Sequence, residues 1–150
     1  MTGTTDHGIE IDREIPAPSP AVFAAWTQPE SFARWFGGPE VDVPQDGLDL
    51  VAEPGRAWRA RMVLPDGASI DWIGEFLEVV PAQRLVLTIS DRPEAESRAR
   101  ILVELSPEGA GTRMHFSQET PGFTTEQQEG VLAGWQAFLE ELAREAIARA

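Results

Sequence analysis

From residue 57 to residue 118 the chain passes through five short stretches in which apolar and polar side chains alternate, each closed by a turn-forming segment. They are "AWRARMVL" (57–64), "ASIDWIGEFLEVV" (68–80), "RLVLTIS" (84–90), "RARILVEL" (98–105) and "TRMHFSQ" (112–118). Alternation at a period of two is the signature of half-buried strands, and connections this short join only antiparallel neighbours. The feature therefore commits the middle of the chain to an antiparallel meander. In the first stretch Trp58, Ala60, Met62 and Leu64 share one face, and Arg59 and Arg61 lie opposite. "PDG" (65–67) then reads as a hairpin turn, because proline presets φ and glycine accepts the positive φ. Upstream, "VDV" (41–43) and "LDLVAE" (48–53) flank a turn signal at Pro44–Gly47 and read as further strands.

A different period follows. Val131, Trp135, Phe138, Leu139, Leu142 and Ala146 recur at three- and four-residue steps, which predicts one long helix over 124–148. Thr124 with Gln127, or Thr125 with Gln128, supplies a capping box at its start. Gly130 and Gly134 lie one turn apart inside it. Each costs about 1 kcal/mol relative to alanine in a helix interior, so some local requirement for an absent side chain is expected there.

Before the meander, "GIEIDREI" (8–15) reads as a strand. "VFAAWTQPESFARWF" (22–36) then concentrates Phe23, Trp26, Phe32, Trp35 and Phe36, five of the chain's twelve aromatic residues. Ser19 followed by Pro20 predicts an N-cap with proline at the first helical position. Thr27 and Glu30 have capping-box spacing, with Pro29 in the first turn. The stretch is thus two short helices, each with a ring-bearing face. Residues 1–7 are expected as a flexible tail and 8–150 as a single domain of the α+β class.

Acidic residues number 25 against 12 basic, giving a net charge of −13. Such a surface repels phosphate backbones and anionic membranes, so neither nucleic acid nor membrane is expected as a partner. No apolar run is long enough to span a bilayer, and "MTGTTDHGIE" lacks the basic start and apolar stretch of a secretion signal, which points to the cytoplasm. With no cysteine and no tyrosine, thiolate chemistry is excluded. Two histidines, His7 and His115, give no metal-ligand spacing, so no metal or cofactor is expected. His115, between Met114 and Phe116, turns away from their shared face. Asp71, Glu75 and Glu78 could form an acid/base cluster; facing water, or pairing with Arg59 and Arg61 on the adjoining strand, is the preferred reading. No nucleophile elbow, phosphate loop or dinucleotide fingerprint is present.

The order of elements, with "FAAWTQPESFARWF" (23–36), "PGRAW" (54–58), "GEFLEVVPAQRLVLT" (74–88), "GAGTRMHFSQE" (109–119) and "GW" (134–135) as landmarks, resembles the START-like (SRPBCC) superfamily. Within it, the chain is most similar to homologues of the heat-shock protein 90 ATPase activator. Arg56 stands where that family commonly has a second glycine. The resemblance implies a helix grip: a curved antiparallel sheet of about seven strands around the long C-terminal helix, with two short helices closing one end. It also implies an internal hydrophobic cavity, for which Trp26, Trp35, Trp58, Met62, Leu87, Met114, Phe116, Gly134, Trp135 and Phe138 are the candidate lining residues.

Three functions compete. The first is a non-catalytic protein that binds a small apolar or aromatic ligand. The second is a chaperone-associated, stress-response partner, as the family's description implies. The third is a cyclase or aromatase of the polyketide type. The scarcity of histidine and the absence of tyrosine and cysteine weaken the third, and the first is the preferred reading, as a monomer or homodimer.

Overall fold

The computed structural model describes residues 2–92 and 98–150. Residue 1 of the expected tail lies outside the described residues. Seven strands and three helices follow in the order β1 (Gly3–Thr4), β2 (Gly8–Ile15), α1 (Ser19–Thr27), α2 (Pro29–Trp35), β3 (Ala57–Val63), β4 (Ser69–Val80), β5 (Arg84–Ile89), β6 (Ala99–Glu108), β7 (Gly111–Glu119) and α3 (Thr125–Arg149). The strands form one antiparallel sheet in the order β1-β2-β7-β6-β5-β4-β3. Strands β3 to β7 each pair with the next in the chain, as their short connections require, and β7 pairs with β2 on its other edge. α3 packs on β1 and β2 and against α1 and α2, which completes the helix grip. No helix among the described residues is long and apolar enough to cross a membrane.

Strand alternation becomes a two-faced sheet. Ile9, Ile11, Ile15, Trp58, Met62, Ile101, Val103, Met114 and Phe116 are buried on the inner face. Across the outer face the polar positions meet strand by strand. Asp12 Oδ1 lies 2.8 Å from His115 Nδ1, His115 sits opposite Glu104, and Arg84 holds both Glu104 (2.8 Å) and Glu78 (3.1 Å). His115 therefore faces outward in a carboxylate-rich row. A bulge in β4 between Phe76 and Glu78 turns Leu77 out as well, 40% exposed.

The ring-rich stretch is explained by packing. Trp26 meets Trp35 edge-on at 4.8 Å, Phe32 stacks on Phe36 at 4.5 Å, and Trp35 is fully buried with Nε1 donating to the Ala25 carbonyl at 2.7 Å. These two short helices carry too little backbone to be stable alone; their interlocked rings hold them to each other and to α3.

Helix starts divide into one that follows local sequence and two that do not. Thr124 caps α3 in a full capping box with Gln127. The N-cap of α1 is Pro18, not Ser19, and Ser19 Oγ instead lies 3.1 Å from Thr112 Oγ1, which donates to the Ala17 carbonyl. The N-cap of α2 is Gln28, and Thr27 Oγ1 turns back to donate to the Phe23 carbonyl. In both cases a competing acceptor, in β7 or in the preceding turn, claims the hydroxyl. The segment 41–53 also departs from expectation. It contains a single 3-10 turn at Gln45–Gly47 and touches β3 only through isolated bridges at Asp42–Val63 and Asp49–Arg59, so it fringes the sheet without joining it. Residues 3 and 4, within the stretch expected as a tail, pair with β2. In "PGRAW" the left-handed position is Gly55 (φ +82°), and Arg56 needs no such conformation, so the turn accepts arginine.

Candidate functional site

The inner face is not filled along its whole length. Between the first half of α3 and the far end of the sheet lies a cavity of about 620 Å³. That size falls within the roughly 300–1,000 Å³ of small-molecule sites. One wall is the α3 stripe of Val131, Gly134, Trp135 and Phe138. The opposite wall takes Met62 from β3, Trp72 from β4 and Ile89 from β5, and Phe36 from the end of α2 closes one side. Phe36 lies 6.3 Å from Trp72 and 6.2 Å from Phe138, so the walls meet through ring contacts.

Gly134 opens this space. A Cβ built at that position meets no atom within 4 Å, nor does one at Gly130. The glycines do not serve close helix-to-sheet contact; at Gly134 the missing side chain leaves cavity volume. Trp135 is the floor. It is 5% exposed, packs on Phe116 at 4.5 Å and Phe138 at 5.4 Å, and donates Nε1–H to Gln118 Oε1 at 2.6 Å. Gln118, on the inner face of β7 two residues beyond Phe116, is thereby fixed at the cavity edge. The remaining edge is polar: Ser90, Asp91 and Arg92 after β5, Arg98 before β6, and Glu119.

Of the residues predicted to line the cavity, Met62, Gly134, Trp135 and Phe138 do so. Trp26, Trp35, Trp58, Leu87, Met114 and Phe116 are packed in the core instead. Trp26 is stacked on Phe116 at 6.1 Å, which covers both rings, and Trp58 is held down by donating Nε1–H to the Thr88 carbonyl at 2.9 Å. Phe36, Trp72, Ile89, Ala99, Pro121, Phe123 and Val131 complete the apolar lining. Val131 was legible, being one helical turn before Trp135. The rim arginines carry no sequence signal, since nothing local relates the loop after β5 to α3.

The candidate acid/base cluster is dispersed on the outer face. Asp71 pairs with Arg61 at 2.9 Å as expected, but Glu78 pairs with Arg84 rather than with Arg59 or Arg61. Donating a hydrogen bond to Asp71, and then the charge of that carboxylate, raises the Arg61 guanidinium above its usual value; Glu78 does the same for Arg84. Both groups stay cationic at any working pH and offer no proton-transfer chemistry. Among the described residues no group of three or more His, Asp or Glu side chains is placed to hold a metal ion.

A family profile described as "Activator of Hsp90 ATPase homolog 1-like protein" matches residues 16–146. The chain belongs to this family. Solved AHSA1-like structures agree. The AHSA1 protein from Silicibacter pomeroyi is 23% identical at a TM-score of 0.81, covering 94% of this chain and 98% of its own. The AHSA1-like protein from Aeromonas hydrophila is 26% identical at a TM-score of 0.74, covering 93% and 92%. A protein from Staphylococcus epidermidis reaches a TM-score of 0.83 at 19% identity, covering 100% of this chain and 95% of its own. No curated protein matches the sequence significantly. At these identities the structural relatives speak for the fold, and the function of this AHSA1-family chain has to be argued from its cavity.

Proposed function

We propose that this AHSA1-family protein is a non-catalytic carrier or sensor that takes a small apolar or aromatic molecule into the cavity beside α3. The observation that carries this reading is the empty volume opposite Gly134, walled by Phe36, Trp72, Trp135 and Phe138. The rings and aliphatic side chains around this space of about 620 Å³ present apolar surface that the protein itself leaves uncovered. An apolar ligand covers that surface and removes its own from water at about 25 cal/mol per Å². Aromatic faces and a methionine suit flat or flexible apolar shapes.

Gly134→Leu tests it. The leucine side chain is expected to occupy the cavity, so uptake of an apolar dye such as anilinonaphthalene sulfonate falls at least about tenfold. Stability changes little, because no atom lies where the new Cβ would sit. Thermal midpoint and dye titration on both proteins decide the matter. A wild type that takes up no dye, together with a variant destabilised by about 1–3 kcal/mol through overpacking, would leave a packed scaffold and remove the binding reading. The family's description supports a second reading, a chaperone partner, which the Gly134→Leu variant should leave intact because its substitution is inside the cavity.

A further inference from the structure

We infer that the ligand is an acid: an apolar ring- or chain-bearing body with one carboxylate, recognised at the cavity rim by Arg92 and Arg98. The inference rests on the binding reading above and names its substrate class. All twelve basic side chains of the protein are arginine, against 25 carboxylates. Arg13, Arg34, Arg61, Arg84, Arg113 and Arg144 each hold a carboxylate within 4.0 Å. Among the described residues, six of the twelve arginines are paired in this way and six are not. Arg92 and Arg98 line the cavity, and neither has a carboxylate at ion-pair distance among the described residues.

The Arg92 backbone is tied into a small turn, its N–H donating to Ser90 Oγ at 3.0 Å while that hydroxyl donates to the Arg92 carbonyl at 3.2 Å. A third donor sits beside the aromatic floor. The Trp135 indole can only donate, so it selects the oxygen of the Gln118 amide and leaves Nε2 as the donating end of that side chain. A carboxylate accepts at two oxygens, takes an arginine fork side-on, and accommodates two or three such donors at once. Two acidic groups border the same rim. Glu119 is committed elsewhere: its Oε1 accepts the Arg100 backbone N–H at 3.0 Å, and its side chain also borders a depression on the outer face. Among the described residues, Asp91 is the other acidic group on that rim, beside two guanidiniums. A cationic ligand meets both arginines, and a neutral one gains no charge-assisted contact from them.

The experiment is a calorimetric titration of the full chain with three matched probes: naphthylacetic acid, its methyl ester, and naphthylethylamine. The acid is expected to bind about tenfold or more tighter than the ester, as a charge-assisted contact implies, with the amine weakest. In the Arg92→Gln/Arg98→Gln double variant, acid affinity should fall to that of the ester while the ester is unchanged. Both positions are exposed, so the thermal midpoint of the variant should match wild type. Equal binding of acid and ester by wild type, or an acid preference that survives the double substitution, overturns the inference and leaves the apolar-cavity reading standing. If none of the three probes binds, both fall.

Discussion

Alanine at Gly74 is expected to lower stability by about 3–5 kcal/mol, among the larger effects a single methyl can have. Gly74 lies on the inner face of β4 directly opposite Trp58 in β3. A Cβ there would collide with the Thr88 carbonyl oxygen and with Trp58 Nε1, the two atoms that hydrogen-bond across it at 2.9 Å. The backbone of β5 and the indole must both move. Overpacking costs about 1–3 kcal/mol, and separating a buried indole N–H from its acceptor adds about 1–3 kcal/mol. This is the physical reason a strand interior keeps a glycine. Gly130→Ala is the matched control. Its new methyl meets nothing within 4 Å, and it sits in a helix, so the same substitution should stabilise by about 1 kcal/mol. Urea denaturation of both variants checks the pair. A Gly74→Ala protein as stable as wild type would mean that Trp58 does not lie over that position.

Trp135→Ala is the second large effect, expected to destabilise by about 3–5 kcal/mol as the truncation of a buried aromatic. Five rings surround Trp135: Phe116 at 4.5 Å, Phe138 at 5.4 Å, Trp26 at 6.2 Å, Trp35 at 6.4 Å and Phe36 at 6.5 Å. Its removal merges the ligand cavity with the space beneath it and frees Gln118 from its fixed orientation. Ligand selectivity should therefore change along with stability, the enlarged site accepting bulkier apolar probes. Trp135→Phe separates the two contributions. It keeps most of the ring packing and loses the bond to Gln118, a change of about 0.5–1.5 kcal/mol for the hydrogen bond itself. Denaturation midpoints and a titration with apolar probes of increasing size measure both. If Trp135→Ala costs less than about 1 kcal/mol, the floor of the cavity is not the keystone that its ring contacts make it.

What the sequence discloses here follows the range of the interactions. Thr124 finds its partner three residues away, and its capping box is readable. Ser19 and Thr27 have equally good capping signals but are claimed by Thr112 and by the Phe23 carbonyl, and Thr112 is far off in the chain. The meander was legible because each strand pairs with its chain neighbour. The fringe at 41–53 was not, since a run such as "LDLVAE" reads as a strand whether or not a partner edge is in reach. The site shows the same division. Apolar periodicity identifies side chains that face inward, but it does not separate those that pack from those that border a void. Trp26 and Trp135 look alike in sequence; Phe116 and Trp35 cover the one, and Gly134 uncovers part of the other. Arg92 and Arg98 could not be found from pattern at all, because they come to border the same cavity as α3 only in the folded molecule.

The pairing of β2 with β7 has a further consequence, for the time at which the fold can form. Residues 8–15 join residues 112–119, their partners roughly a hundred positions along the chain. Hairpins within β3 to β7 can close as soon as each strand emerges, whereas the seam between β2 and β7 waits for most of the chain, and closing so long a loop must be offset by contacts made only at the end. Trp26 and Trp35 follow β2 directly, yet Phe116 of β7 and Trp135 of α3, which pack against them, are synthesised long after. A nascent or truncated chain thus carries its densest cluster of rings exposed to solvent, the condition under which incomplete chains associate. In refolding experiments the burial of those rings should coincide with the slowest phase, seen as a late change in tryptophan fluorescence after the strand signal has developed.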